Sequence, residues 1–490
     1  MEKNEKGLSE KDRKNRDLIL HGNMWTVVFK MCAPLALYQS LNQLFKILDT
    51  QMAAHISSTS VSAVAYLSQI SLMLSALGGG LAVGASLKVS EAYGAGDYEL
   101  VKKRVSSLYM MCVVIGAAVL LGILPFTRQF LRMANTPETL INVGQKYFII
   151  DLISMVIMFF NNVYISIERV RGNSKRILYL NMIVILVKLS ITALFVYVLH
   201  GDITSIAFAT LLSQLALFAF AIINSSKKGN LFSFSLKAIS LKKKVNAPMI
   251  FSSIPVIMEK VLFAFGKVVV NSMSTSYGDL TVGALGVSNN IGGITTSPQN
   301  GFQEGGAAII SQNLGAKNYK RALDAFKKVM IFNVSIGVLG YLITTVWLGQ
   351  ISEIFSKHDP AFQQMIIHIY SFEALGAVML GINASILALL YGYGLMRYTF
   401  VINVSRVFIF RIPVLWGLQQ FTNTGSESVG IVMMVSNVAT GVFALLIMIH
   451  VLIKIKRNTL RGYDFTDEGV VEKGESLAYA ATLCPEKKII

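Results

Sequence analysis

Ten ionisable side chains lie inside long apolar runs of this sequence: Lys46, Asp49, Asp151, Lys188, Glu259, Lys260, Lys267, Glu304, Glu373 and Arg411. A charge held at the centre of a bilayer costs about 2.5–3.5 kcal/mol on insertion scales, so each is a candidate for binding or conducting an ion. Their spacing carries further information. Asp49 follows Lys46 by three residues, which puts both on one helix face. Lys260 and Lys267, seven apart, also share a face, with Glu259 about 100° from Lys260. Asp151 and Glu373 read equally as functional acids or as groups bonding neighbouring backbone. Lys88 and Glu91 lie toward the end of a run and are expected to snorkel.

Enzymatic chemistry has no comparable signal. The six histidines, His21, His55, His200, His358, His368 and His450, are dispersed and offer no paired spacing for a metal. No serine stands in a nucleophile-elbow context. Gly94-Ala95-Gly96-Asp97-Tyr98 and its echo Gly315-Ala316-Lys317-Asn318-Tyr319 are glycine-bearing turns, but no Gly-Lys-Ser/Thr follows, so a phosphate loop is excluded. The expectation is a non-enzyme without metal or cofactor, energised by an ion gradient.

The elements that must position these charges are membrane helices. The chain is 53% hydrophobic and 14% charged, with a mean hydropathy of +0.57, whereas soluble domains carry about a quarter charged residues. Twelve apolar stretches approach the roughly 20 residues that span a bilayer. They fall near 24–54, 60–89, 105–131, 147–168, 177–200, 203–224, 248–275, 280–311, 326–349, 364–391, 397–419 and 427–454. The fold class expected is an all-α membrane protein.

Lysine and arginine set the orientation, because they are retained on the cytoplasmic side of short loops. Lys3 to Arg16, Lys102 to Arg104, Arg169 to Arg176, the run Lys227 to Lys244 and Lys317 to Arg321 fall in loops of one parity. The opposite loops around 57–60, 201–202 and 422–427 carry none. Both termini are therefore expected in the cytoplasm. The formal charge of +17 is topogenic, and nucleic acid is not expected as a partner. Cys32 and Cys112 fall within spans and Cys484 in the tail, so no disulfide framework is implied. The first apolar run exceeds a signal h-region and shows no cleavage site at its end.

The chain repeats itself. An offset of 221 relates Pro34 to Pro255, Lys46 to Lys267, Met52 to Met273, Gly84 to Gly305, Gly94 to Gly315 and Tyr98 to Tyr319. An offset of 222 relates Asn161 to Asn383, Gly172 to Gly394, Asn181 to Asn403 and Asp151 to Glu373. Six spans per half give the duplicated units one orientation, related by a pseudo-twofold axis along the membrane normal. The expected division is a first lobe at 1–224, a basic linker at 225–247, a second lobe at 248–455 and a charged tail at 456–490.

With Pro34 and Asp49 in the first span, the two Gly-Ala turns, Arg171-Gly172, Pro255 and Gln312-Asn313-Leu314-Gly315-Ala316, the chain resembles the multidrug and toxic compound extrusion (MATE) family over nearly its whole length. Arg406 and Pro413 look closer to the branch of prokaryotic drug exporters and DNA-damage-inducible relatives than to the sodium-driven branch. The resemblance implies two lobes around a central cavity and export of a small molecule as protons or sodium enter. Asp49 matches the family's first-lobe coupling acid, whereas Lys188 and Thr192 stand where an asparagine and an aspartate are usual.

The resulting expectation is a single-chain antiporter in the plasma membrane of a prokaryote. It would export small amphipathic compounds by alternating access and be coupled to protons rather than sodium. Asp49, Lys188, Lys46 and Thr192 are the coupling candidates, with Asp49 and Lys188 as a charge pair. Glu259, Lys267, Glu304, Arg411, Asn161 and Asn383 are the cavity candidates. Pro34, Pro255, Gly94 and Gly315 are structural. The competing reading is a flippase or exporter of a lipid-linked or other anionic substrate, and a membrane enzyme is a distant third.

Overall fold

The computed structural model describes residues 8–53, 58–134, 136, 138–226, 230–356 and 359–460. Side chains at 46–53, 58–66, 69, 139, 143 and 279 lie outside the described set, so Lys46 and Asp49, and with them the expected Asp49–Lys188 pair, fall outside it.

The chain is helical throughout the described regions, with no strand among them. A short helix α1 (Glu10–His21) precedes α2 (Met24–Ala53), α3 (Ser58–Gly94), α4 (Tyr98–Ile123), α5 (Thr127–Met133), α6 (Glu138–Val170), α7 (Ser174–Ala193) and α8 (Ile203–Ser225). After the linker come α9 (Lys243–Ser274), α10 (Asp279–Gly315), α11 (Tyr319–Val346), α12 (Leu348–Ser356), α13 (Pro360–Ala374), α14 (Ala377–Gly392), α15 (Met396–Phe408), α16 (Ile412–Phe421) and α17 (Glu427–Lys456). Among the described residues eight helices are long and apolar enough to cross a membrane, and α13 with α14, bent by 49°, makes nine. With α2, α9 and α10, each of spanning length, the expected twelve spans are present.

Local chemistry starts and breaks these helices. Asp97 accepts from the Leu100 amide at 3.0 Å and Asp202 from Thr204 at 3.0 Å, satisfying donors that the first turn leaves free. Pro413 cannot donate to the carbonyl four residues back, and the span separates there into α15 and α16 with Arg411 at the break.

The chain packs as two units. Among the described residues one holds 8–22 and Leu44–Val261, the other Asn23–Gln43 and 262–460. The division expected from sequence kept each helix whole, whereas here α2 and α9 are split. The first part of α9 lies on α3, where a Cβ added at Gly80 would meet Ile257 Cα at 2.8 Å and one at Gly84 would meet Ser253 Cα at 2.5 Å. The first part of α2 lies on α10 in the same way, where a Cβ added at Gly301 would meet Ala36 Cα at 2.4 Å and one at Gly305 would meet Cys32 Sγ at 2.6 Å. All four positions on each side are related by 221. Glycines spaced by four let helix backbones approach in lipid, where packing rather than water exclusion drives association. The glycine columns explain why each half's second helix receives the other half's first.

In the first unit α1 is docked, although its sequence is largely polar. Asp12, 2% exposed, pairs with Arg171 at 3.0 Å, which also reaches Glu168 at 2.7 Å. Arg16 donates to the carbonyls of Tyr93 and Gly94 at 3.1 and 2.9 Å, closing the free end of α3. The basic linker is bonded to the same unit. Lys102 donates to the Asn230 carbonyl at 3.2 Å, Ser106 and Ser107 accept from the Ser235 and Ser240 amides, and Phe232 lies against the Tyr93 ring at 5.1 Å. Lys88, expected to snorkel, is instead buried against Glu91 at 2.7 Å, with Arg104 bonded to its carbonyl.

Candidate functional site

Each unit holds an acid that accepts from a serine hydroxyl on a neighbouring helix and that feels a nearby cation. In the first unit Ser71 of α3 donates to Asp151 of α6, and Lys188 of α7 acts electrostatically on that carboxylate. In the second unit Ser288 of α10 donates to Glu373 of α13, which also feels Arg411, Arg406 and Lys267. Asp151 and Glu373 were related by sequence offset alone. The structure gives them like surroundings, contributed by corresponding helices.

The second cluster is the more elaborate. Arg411, 2% exposed, donates to Ser436 Oγ at 3.1 Å and to Asn437 Oδ1 at 3.4 Å, and Arg406 donates to the same Asn437 oxygen at 2.7 Å. Arg406 and Lys267 both face the Phe263 ring, at 5.5 and 5.3 Å from its centroid, where the negative ring face offsets part of the cost of desolvating them. Both broken spans open here. The α13–α14 bend follows Glu373 directly, and the α15–α16 break is at Arg411. Interrupted membrane helices place free backbone groups and charges where ions and substrates bind.

The remaining sequence candidates distribute as follows. Lys188 acts electrostatically on Asp151, and Thr192 is fully buried one turn further along α7 with no partner for its hydroxyl among the described residues. Glu259 is buried at 7% exposure in the first unit, while its neighbour Lys260 is exposed, as their 100° separation requires. Glu304 is half-buried on α10. Asn161 is committed to helix packing, donating to the Gln214 carbonyl and side chain at 3.0 and 2.8 Å, and Asn383 is buried on α14. The structure therefore brings Lys267, Arg411 and Glu373 together and keeps Asn161 apart from both acids' clusters.

The Gly-Ala turns are also clarified. The left-handed residue is Gly96, at φ 77°, rather than Gly94, and in the echo the same conformation falls on Lys317, at φ 56°. Gly172 and Gly394 are likewise equivalent, at φ 79° and 71°. Sequence reading missed Ser71, Ser288, Ser436 and Asn437, whose types are ordinary in spans. Only their position opposite a buried charge distinguishes them.

Comparison with known proteins agrees with this architecture. The MatE family model matches residues 34–194 and 255–416, one match in each half. The multidrug export protein MepA of Staphylococcus haemolyticus (strain JCSC1435) is 25% identical over 397 residues, covering 79% of this chain and 85% of that protein. MepA of Staphylococcus aureus (strain bovine RF122 / ET3-1) is 23% identical over 366 residues, covering 70% and 79%. Among solved structures, MATE in the straight conformation superimposes with a TM-score of 0.85 at 17% identity, covering 91% of this chain and 99% of that one. A MOP superfamily transporter from Pyrococcus furiosus, described as having a binding pocket of reverse polarity, gives 0.85 at 17%, covering 90% and 99%. With a family match across both halves and the same twelve-span fold, the chain belongs to the MatE family of membrane transporters and is not an enzyme.

Proposed function

We propose that this chain is a proton-coupled antiporter that exports small amphipathic compounds, with Asp151 and Glu373 as the groups that load and release the proton. The observation that carries the reading is the duplicated cluster of acid, hydroxyl and cation. A carboxylate held by a serine and a neighbouring cation has two stable arrangements, ionised against the cation or protonated away from it. An ion or a substrate can shift an equilibrium between two transporter states only through different affinity for them, and such an acid supplies that difference.

Sodium fits these surroundings poorly, because hard cations favour several oxygen donors and Lys188, Arg406, Arg411 and Lys267 bring positive charge to both acids. The two clusters differ in their cations: Lys188 acts on Asp151 in the first, whereas two arginines, which keep their charge, act with Lys267 on Glu373 in the second. The role foreseen for Asp49 and Lys46 is retained as part of the proposal, since Lys188 lies on the helix expected to face them.

The export direction and drug-like substrates follow from the multidrug export relatives. Placement in a prokaryotic plasma membrane follows from the bacterial export relatives and cytoplasmic termini from the lysine and arginine bias, and a single chain carries both clusters. A second reading has its own support: three cations act electrostatically on Glu373, which suits an anionic or lipid-linked cargo.

The test is transport by purified protein in proteoliposomes with proton and sodium gradients imposed separately, against cationic, zwitterionic and anionic compounds. Proton-driven movement of cations, lost in Asp151→Asn or Glu373→Gln, is expected. Sodium-driven transport that ignores the proton gradient refutes the coupling, and anion-selective transport favours the second reading.

A further inference from the structure

Where α10, α11 and α14 meet in the second unit, three buried side-chain oxygens have no protein partner among the described residues: Thr295 Oγ1, Gln299 Oε1 and Asn333 Oδ1. These residues are 2%, 1% and 0% exposed. Burying such oxygens without a hydrogen bond costs about 1–3 kcal/mol each. Three within two turns of facing helices call for a common donor.

The local geometry groups them. Gln299 Nε2 donates to the Asn333 and Ala377 carbonyls at 3.3 and 3.2 Å, and Asn333 Nδ2 donates to Ser385 Oγ at 3.0 Å. The amide nitrogens are thus occupied and the oxygens left over. Thr295 is one turn before Gln299 on α10 and packs against Gly340, whose added Cβ would sit 2.3 Å from the hydroxyl. Gly337 and Gly381 face Gln299, with added Cβ atoms 3.1 and 2.8 Å from Nε2. Pro298 lies between the two side chains, inside α10. It has no N–H to give the Ile294 carbonyl, so a fourth acceptor is released at the same level. The equivalent position in the first half is Leu77, so the missing amide has no counterpart there.

We infer that water occupies this seam and forms the route by which protons reach Glu373, an inference that rests on the coupling role proposed for Glu373. Water matches the donor deficit. One molecule gives its two hydrogens to Gln299 Oε1 and Asn333 Oδ1 and accepts from the Thr295 hydroxyl, and a second serves the Ile294 carbonyl. Buried waters characteristically make about three such bonds, and prolines within membrane helices are tolerated where water re-satisfies the freed carbonyl. A resident cation is disfavoured, because none of the seam residues named is a carboxylate.

The seam adjoins the Glu373 cluster. An added Cβ at Gly292, one turn before Thr295 on α10, would lie 3.2 Å from Glu373 Oε1 and 3.8 Å from the Tyr370 ring. Tyr370 donates to Thr344 Oγ1 at 2.8 Å, and Thr344 donates to the Gly340 carbonyl at 2.7 Å, on the residue that faces Thr295. Hydroxyls and released acceptors therefore line the space from the level of Gly292, beside the acid, past Tyr370, Thr344 and Thr295 to Gln299 and Asn333, toward the Gly315 end of α10, and water would bridge the gaps between them. Proton passage requires no new bond to carbon, only hopping between water and hydroxyl oxygens.

The experiment is hydrogen–deuterium exchange of the full-length protein in lipid nanodiscs, with proton-driven transport measured on the same variants in proteoliposomes. Segment 294–302 is expected to exchange at least about tenfold faster than segment 305–313 of the same helix, and Pro298→Ala, which restores the N–H, to slow it by about tenfold. Thr295→Val, nearly isosteric, is expected to lower proton-driven transport at least about fivefold while substrate KM stays constant. Equal protection of the two segments, or an unchanged rate in Thr295→Val, overturns the inference. Fast exchange beside transport indifferent to the proton gradient removes the coupling role of Glu373 and the route with it, while the water site stands. Slow exchange beside Glu373-dependent, proton-driven transport leaves the coupling role intact and removes the seam.

Discussion

The run Gly78-Gly79-Gly80 offers a graded test of how the first unit is packed, because three adjacent glycines of one helix meet three different surroundings. A Cβ at Gly78 would fall 2.0 Å from the Phe159 ring of α6, and one at Gly80 2.8 Å from both Cα and N of Ile257 in α9. At Gly79 the nearest atom is Lys260 Nζ at 3.7 Å, the far end of a flexible side chain. Carbon contacts become favourable only near 3.5 Å. Gly80→Ala must therefore push the α9 backbone away from α3 by about 0.7 Å, and Gly78→Ala must displace a fully buried ring. Overpacking of this kind costs about 1–3 kcal/mol. Gly79→Ala meets no obstacle and should gain about 0.5–1 kcal/mol, from the reduced backbone freedom of alanine. The assay is thermal melting of the three variants in one detergent, with transport measured in proteoliposomes. The expected order of stability is Gly79→Ala above wild type, with Gly78→Ala and Gly80→Ala below it. Because Gly80 touches the helix that enters from the other half of the chain, Gly80→Ala should also lower transport more than its stability loss predicts. Equal tolerance at Gly79 and Gly80 would refute the close contact of α3 with α9.

Further outcomes follow from the same geometry. Lys317 holds a left-handed conformation that its equivalent Gly96 adopts freely, so Lys317→Gly should stabilise by about 0.5–1 kcal/mol in melting experiments, whereas Gly172→Ala should destabilise by about 1–2 kcal/mol. Removing one partner of a buried ion pair costs about 3–5 kcal/mol. Asp12→Ala should fall at the lower end, because Arg171 keeps Glu168, and Asp12→Ala with Arg171→Met should recover part of the loss. Bonds from Arg132 and Arg128 hold the exposed Glu138 carboxyl down at about 2. Its pairing therefore stabilises above the ordinary carboxylate range and is lost as pH falls toward that value, so the melting difference between wild type and Glu138→Gln should shrink steadily below about pH 4.

Much of this architecture was legible in the sequence, for definite reasons. Backbone demands repeat wherever the fold repeats, so Gly84 and Gly305, or Gly172 and Gly394, survive as pairs at a constant offset. The exchange of first helices was not legible. A helix that is apolar all round has the same pattern whichever neighbour covers it, and only the glycine columns at 80 and 84 and at 301 and 305 hinted at a close partner. Helix α1 escaped notice because a soluble-looking stretch rich in lysine and arginine reads as a tail. Its docking depends on Asp12 meeting an arginine 159 positions away and on Arg16 reaching the carbonyls that end α3. The charged residues of the site were found from their cost in a membrane. Their partners were not, since Ser71 and Ser288 look like any small residue in a packed span.

The two acids also explain a difference between the halves that neither sequence shows by itself. At the offset of 221 the counterpart of Ser71 is Gly292, not Ser288, which sits one turn away. Asp151 is the shorter acid and takes its hydroxyl from Ser71. Glu373 is longer by one methylene, about 1.5 Å, and an added Cβ at Gly292 would already lie 3.2 Å from its Oε1. The glycine leaves room for the longer side chain to reach Ser288. Acid length and hydroxyl position are thus matched within each half, and changing one alone breaks the match. Glu373→Asp should leave Ser288 out of reach and a buried hydrogen bond unmade, costing about 1–3 kcal/mol. Gly292→Ser should crowd the glutamate and lower transport as well. Combined, the two substitutions rebuild the first half's arrangement in the second, and proton-driven transport should return to within about threefold of wild type. That coupling of more than about 1 kcal/mol is measurable as a double-mutant cycle on both melting temperature and transport rate. Strict additivity of the two losses would show that Gly292 and Glu373 do not share the space the structure gives them.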